Sequence, residues 1–156
     1  MLRAKQSQLV FSAEGLRFAI VAGRYNQRYS DALVTRAQRA LRMAGAKRGD
    51  VTVIRVPGAF EVPVVVSRLA SSGSYDAIIA LGVIIRGETE HADLIGRAVT
   101  DALTQIVLRD GVPVVHEVLL LGNEQQAHAR CLQPKHNRGT EAALTAIEMA
   151  HLMRTL

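Results

Sequence analysis

Four short apolar runs alternate with stretches of helical periodicity, and this alternation restricts the fold of the chain more than any other feature. The runs are 16–22 (LRFAIVA), 51–56 (VTVIRV), 76–85 (DAIIALGVII) and 112–121 (VPVVHEVLLL). Near-continuous Val, Ile, Leu and Ala marks strands covered on both faces. Parallel neighbours need crossover connections, and helices supply them here. The pattern therefore predicts an α/β fold: a three-layer α/β/α sandwich around a four-stranded parallel sheet. The segment Leu9-Val10-Phe11 reads as a short extra strand without a partner in this plan. It is expected to pair with the sheet edge of a neighbouring subunit. The 156 residues suit one domain over 1–156, with 1–13 as an N-terminal segment.

The helical stretches carry readable faces. Leu33, Ala37, Ala40, Leu41 and Ala44 form a stripe after the first strand, with Ser30 placed to cap its start and Gly45 its end. Pro63 suits a helix start, and that helix is expected to end near Ser71. Leu94, Ile95, Ala98, Val99, Ala102, Leu103, Ile106 and Val107 recur as pairs every four residues until Asp110-Gly111. A short helix is expected from Asn123 to about Leu132, broken at Pro134. The last helix runs from about Thr140 to Met153, with Ala142, Ala143, Ala146, Ile147 and Ala150 facing inward. With three Phe, three Tyr and no Trp, the core must be built mainly from aliphatic side chains.

Charge and cysteine content narrow the function classes. The formal charge of +5 would suit a polyanion, but the basic residues are scattered and no stacking aromatics interleave them, so no nucleic acid is expected. Cys131 is the single cysteine, which leaves neither an intramolecular disulfide nor a cysteine-rich metal site. No secretory signal and no membrane-length apolar run is evident. These features fit a soluble, cytoplasmic protein.

Ligands of open α/β sheets bind beyond the carboxyl ends of the strands, so the segments that follow each strand are read together. They are Gly23-Arg24-Tyr25-Asn26, Pro57-Gly58-Ala59-Phe60-Glu61, Gly87-Glu88-Thr89-Glu90-His91, and the stretch from Asn123 through Arg130. Taken singly, each has a plain structural role open to it. Tyr25 can cover a loop, Phe60 can be core, His91 can be solvated, and Arg130 can complement a helix dipole. Their common position after strands favours a site. No G-x-G-x-x-G, Walker lysine loop or G-x-S-x-G elbow is present, and the five histidines lack metal-ligand spacing. Cofactor-free chemistry on a small anionic substrate is the expectation.

Together the motifs GRYN at 23–26, VPGAFEVP at 56–63, LGVIIRGETEH at 81–91 and NRGTEAALTAIEMA at 137–150 resemble the lumazine synthase family of riboflavin biosynthesis. The resemblance runs from about Gly15 to Leu156 and implies a flavodoxin-like version of the sandwich. It implies a cofactor-independent transferase that joins 5-amino-6-(D-ribitylamino)uracil to 3,4-dihydroxy-2-butanone 4-phosphate. By resemblance, Tyr25 stacks on the pyrimidine with Asn26 beside it. Ala59, Phe60 and Glu61 hold the ribityl chain, Gly58 before them lets the backbone come close to the ligand, and the backbone of Val83, Ile84 and Ile85 lines the pyrimidine edge. Glu88 and Thr89 match the phosphate turn, Arg130 the arginine that grips the phosphate, and His91 the proton-transfer residue. Glu141 stands where an acidic group is usual, and Arg138 where a lysine is usual.

The chain also departs from that family. His116-Glu117 stands in place of a Phe-Gly pair, at a part of the pocket supplied by the adjacent subunit. Leu120-Leu121-Gly122 replaces a Thr-Thr stretch, and Gln133-Pro134-Lys135-His136 replaces a Gly- and Thr-containing loop. His116 and Glu117 either pair with each other or the neighbouring subunit, or alter the ligand. The resemblance further implies pentamers, alone, as decamers or as sixty-subunit shells, and riboflavin synthase as a partner. The loop before Asn137 carries no insertion, which favours the shell. A flavin- or lumazine-binding relative without turnover, and a shell-forming scaffold, are the alternative readings.

Overall fold

The computed structural model describes residues 11–156. Its strands are β1 (Phe18–Gly23), β2 (Val51–Val56), β3 (Ala77–Ile85) and β4 (Val114–Leu121). The helices are α1 (Gln27–Met43), α2 (Val62–Ala70), α3 (His91–Asp110), α4 (Glu124–Ala127) and α5 (Arg138–Thr155). The sheet is parallel in the order β2-β1-β3-β4. This is the flavodoxin-like arrangement expected from the sequence. Leu9 and Val10 of the expected N-terminal strand lie outside the described residues. Phe11 is not in a strand, and its ring stacks on His151 with centroids 5.2 Å apart.

Alternation along the strands sorts side chains into two cores, one on each face of the sheet. Phe18, Ile20 and Ala22 of β1 join Leu33, Ala37 and Leu41 of α1 and the inner face of α5. Ala19 and Val21 join Val62 and Val66 of α2 and Val99, Leu103 and Ile106 of α3. The chain turns opposite ways from β1 and β3, so the crevice between their carboxyl ends is the topological switch point.

Several boundaries shift for identifiable reasons. Pro113 has no N–H to give the ladder, so β4 starts at Val114 while the Pro113 carbonyl still accepts from Ile78 N–H at 2.9 Å. Helix α1 begins before Ser30, which is therefore no cap. Asn26 occupies the N-cap in the left-handed region at φ 56°, and the buried Ser30 hydroxyl donates to the Gly23 carbonyl. Gly45 follows the helix end at φ +107°, and its N–H donates to the Arg42 carbonyl at 3.0 Å. The expected fourth-unit helix divides into α4 and a π turn over His128–Leu132.

Helix α5 starts two residues earlier than its apolar periodicity suggests, because Asn137 caps it. The Asn137 Oδ1 accepts from Gly139 N–H at 3.0 Å and Thr140 N–H at 3.3 Å. Its Nδ2 donates to the Cys131 carbonyl at 2.7 Å, tying the π turn to α5. Helices α1 and α5 then meet so closely that a Cβ at Gly139 would lie 2.3 Å from the Leu33 carbonyl oxygen.

The paired stripe of α3 is wider than the sheet can cover. Val99, Leu103 and Ile106 are buried, whereas Leu94 is 63% and Leu108 of the same helix 80% exposed. Among the described residues no helix is long and apolar enough to cross a membrane.

Candidate active site

A cleft of about 520 Å³ opens at the carboxyl ends of the first three strands. Tyr25 and Asn26 come from the end of β1, Gly58 to Glu61 from the turn after β2, and Val83, Ile84 and Ile85 from β3. Gly87, Thr89, His91, Ala92 and Ile95 complete the wall. The volume is that of a small-molecule site.

Backbone bonds hold these turns together. Arg24 N–H donates to the carbonyls of Val56 at 2.8 Å and Pro57 at 2.9 Å, and Tyr25 N–H to Pro57 at 3.0 Å. Asn26 Nδ2 donates to the Val83 carbonyl at 2.8 Å, fastening the β1 exit to the end of β3. The Tyr25 ring lies over Gly58, where a Cβ would sit 2.6 Å from Tyr25 Cδ2. The Glu61 carboxylate accepts from Gly58 N–H at 2.9 Å, so it shapes the turn. Tyr25 is 68% and Phe60 59% exposed. Phe60 is therefore not core, and two of the chain's six Phe and Tyr residues stand on one cleft.

The turn over 86–90 is anchored at both ends. Arg86 N–H donates to the Leu121 carbonyl at 2.8 Å, and its guanidinium grips the Asp93 carboxylate at 2.6 and 3.3 Å. The Arg86 hydrogen bond holds the Asp93 carboxyl below its ordinary range. Leu94 N–H makes a helical bond back to Glu90, and N–H groups earlier in the first turn have no such partner within the helix. Thr89 and His91 line the cleft at this helix start, while Glu88 is exposed and does not line it.

Arg130, Arg138 and Glu141 belong to a second group that does not line this cleft, and His116 lies on the other face of the sheet from that group. Arg138 Nε donates to Glu117 Oε2 at 3.0 Å, and its Nη1 donates to Glu141 Oε2 at 2.7 Å. Burial pushes the Glu117 carboxyl up, and the Arg138 and Arg130 guanidiniums pull it back. Arg130 sits on the π turn, beside Cys131, whose buried thiol is pushed up to about 11. Within one chain, His116, Arg130, Arg138 and Glu141 thus do not meet Tyr25, Phe60 and His91 around one cavity.

His116 and Glu117 do not pair with each other, because adjacent strand residues face opposite sides of the sheet. The His116 Nε2 lies 2.8 Å from Thr100 Oγ1 on α3, and its Nδ1 accepts from Val118 N–H at 3.2 Å. Thr100 donates its own proton to the Gly96 carbonyl at 2.8 Å, which leaves Nε2 as the donor to Thr100. Desolvation pushes His116 below the ordinary histidine range. Among the described residues no cluster of three His, Cys, Asp or Glu is placed to hold a metal ion.

The sequence profile of the 6,7-dimethyl-8-ribityllumazine synthase family matches residues 15–154. A protein of that name from Chlorobium phaeobacteroides is 44% identical over 153 residues, covering 98% of this chain and 99% of the relative. Another, from Nitratidesulfovibrio vulgaris (strain Miyazaki F), is 42% identical over the full length of both. A third, from Thermococcus onnurineus, is 43% identical over 146 residues, or 94% of each chain. The chain belongs to the lumazine synthase family.

Two wall residues of this lumazine synthase cleft, Ala92 and Ile95, escape the sequence reading. Helical periodicity assigns Ile95 to the sheet-facing stripe, yet the first turn of α3 projects past the strand ends and presents both residues to the cleft. A helix entering directly from a site loop is the signal that would have found them. In the sequence Glu117 stands out only as a departure from the family. Its carboxylate proves to be the ion-pair partner of Arg138.

Proposed function

We propose that the chain condenses 5-amino-6-(D-ribitylamino)uracil with 3,4-dihydroxy-2-butanone 4-phosphate, forming 6,7-dimethyl-8-ribityllumazine with loss of phosphate and two waters. Family membership supports this transferase step of riboflavin biosynthesis. The observation that carries it at the level of residues is the pairing of two exposed aromatics with His91 on one cleft. Tyr25 and Phe60 offer flat apolar faces to a heterocycle and its chain. The backbone of Val83, Ile84 and Ile85 offers hydrogen-bonding groups along the pyrimidine edge.

The amine of one substrate attacks the ketone of the other, so the imine forms between the reactants and no enzyme lysine is consumed. Holding both reactants in register supplies up to about 7–11 kcal/mol of the barrier. His91 moves protons during imine formation, phosphate departure and ring closure, a contribution of about 10²–10⁴-fold. Arg130 meets the phosphate with a charge-assisted bond of about 1.5–3 kcal/mol, next to the Thr89 turn.

Arg130 and the cleft lie apart in one chain, so the working site is completed by a second copy whose Arg130 group faces this cleft. The uncovered Leu94 and Leu108 on α3 support such packing. We assign the assembly to pentamers, with the sixty-subunit shell as the higher form, a cytoplasmic location, and riboflavin synthase as the consumer of the product. A binder or scaffold without turnover is not favoured, since the cleft carries both an aromatic platform and an imidazole.

Incubating the protein with the two substrates tests the reading. Appearance of the fluorescent lumazine is expected, with His91→Ala slowed about 10²-fold or more and binding little changed. Absence of product from the unaltered protein would overturn the assignment.

A further inference from the structure

Three polar side chains are buried among the described residues: Ser30, Asn137 and Glu117. The first two have evident structural duties. Ser30 bonds the Gly23 carbonyl at the start of α1, and Asn137 caps α5. Glu117 caps nothing and closes no turn. It is a carboxylate at 8% exposure on strand β4, whose other buried neighbours are apolar. Burying a carboxylate is costly unless it is paired, and a buried pair rarely stabilises more than apolar side chains of the same volume. A carboxylate at such a position serves through what it holds in place.

Glu117 holds Arg138. The guanidinium is fixed from two directions, at Nε by Glu117 of β4 and at Nη1 by Glu141 of the first turn of α5. Among the described residues Nη2 has no hydrogen-bond partner, and a planar guanidinium fixed at its other two nitrogens presents it in a set direction. The charge of Arg130, on the π turn, also draws the Glu117 carboxyl down. His136, at φ 57°, brings Nδ1 to 4.0 Å from Glu141 Oε1 on the far side. The Arg138 guanidinium is thus held between two carboxylates, in a group whose most buried charge is Glu117.

We propose that Glu117 is a positioning residue: it orients Arg138 beside Arg130 and moderates the combined charge of the two, so that together they take the phosphate of the phosphorylated ketone and release it after elimination. This rests on the function proposed above and adds a residue to it. With Glu117 ionised, the two cations are offset by two anions, and phosphate is held by directed hydrogen bonds more than by net charge. Removing the charge while keeping an acceptor for Nε strengthens the hold on phosphate. Removing the acceptor as well lets the Arg138 fork swing away.

Titrating the assembled, full-length protein with inorganic phosphate by calorimetry separates these effects. Glu117→Gln keeps an oxygen for Nε and loses the charge, so phosphate binds about fivefold more tightly than to the parent. Glu117→Ala loses both, so phosphate binds about tenfold more weakly than to Glu117→Gln. In turnover, Glu117→Ala raises KM for the phosphorylated ketone and leaves KM for the ribitylaminouracil and kcat close to the parent values. Equal phosphate affinity in the two variants, or an equal rise in both KM values, would overturn the proposal. The phosphate titration needs no turnover. Failure of the parent protein to form lumazine therefore counts against the proposed function, and equality of the two variants counts against Glu117.

Discussion

Asn26 and Val83 are joined by a 2.8 Å hydrogen bond from a side-chain amide to a strand-end carbonyl, across the crevice where β1 and β3 part. Asn26 makes that bond from a left-handed backbone conformation, φ 56°, which Asn tolerates better than most residues. One residue therefore stands at the N-cap position of α1, where its carbonyl accepts from Tyr29 and Ser30 N–H, and fixes the carbonyl that heads the cleft's β3 wall.

Asn26→Ala is expected to lose both the bond and the tolerated conformation, at a combined cost of about 2 kcal/mol. Asn26→Gly restores the backbone freedom but not the bond, so it should recover roughly half of that loss. Urea unfolding of the two variants checks the ordering, and KM for the pyrimidine substrate should rise in both.

Gly58→Ala should separate folding from function. The backbone there is extended, so alanine brings no conformational strain, but its Cβ would lie 2.6 Å from an exposed Tyr25 ring. The ring can move at little cost to stability because it is mostly exposed. A thermal midpoint within a few degrees of the parent is expected, with kcat/KM down about tenfold as the platform tilts.

Gly139→Ala should behave in the opposite way. Its Cβ would meet the Leu33 carbonyl oxygen at 2.3 Å, a contact between two backbones that cannot be relieved by a side-chain rotation. Helices α1 and α5 must separate, at about 1–3 kcal/mol or more. Denaturant unfolding should show the loss, and an unchanged midpoint would contradict the close packing of these helices.

Much of this was legible in the sequence. The four strands were readable because a parallel sheet covered on both faces leaves long apolar runs, as at 77–85. The inward face of α5 was readable from its alanine spacing, and all five expected residues are buried. Boundaries were less so, because caps depend on side-chain geometry. Ser30 is a plausible cap by residue type, and only the bond from its N–H to the Asn26 carbonyl at 3.1 Å shows that it lies inside the helix. On the cleft, Tyr25, Asn26, Gly58, Thr89 and His91 follow from their places after strands. Ile95 does not, because one face of α3 serves both core and cleft. The separation of Arg130 from the cleft depends on tertiary placement, which strand and helix periodicity does not encode.

The His116 imidazole makes stability depend on pH. It accepts a backbone N–H at Nδ1 and is desolvated, so the folded chain favours the neutral ring and its pKa falls below the ordinary 6.5. The unfolded chain takes up the proton first. This group's contribution is therefore complete above about 6.5 and declines as pH drops from there through the lowered folded value. His116→Phe should flatten the fall of the urea midpoint over that window. An identical slope in the variant would remove His116 as its source.

The most direct test of the account is subunit complementation. His91→Ala and Arg130→Ala proteins, each slow alone, are dissociated, mixed in equal amounts and reassembled. With the cleft of one copy completed by the Arg130 group of another, about one site in four regains both groups and activity returns to that share of the parent. Activity no higher than the average of the two separate variants would contradict a site built across two copies.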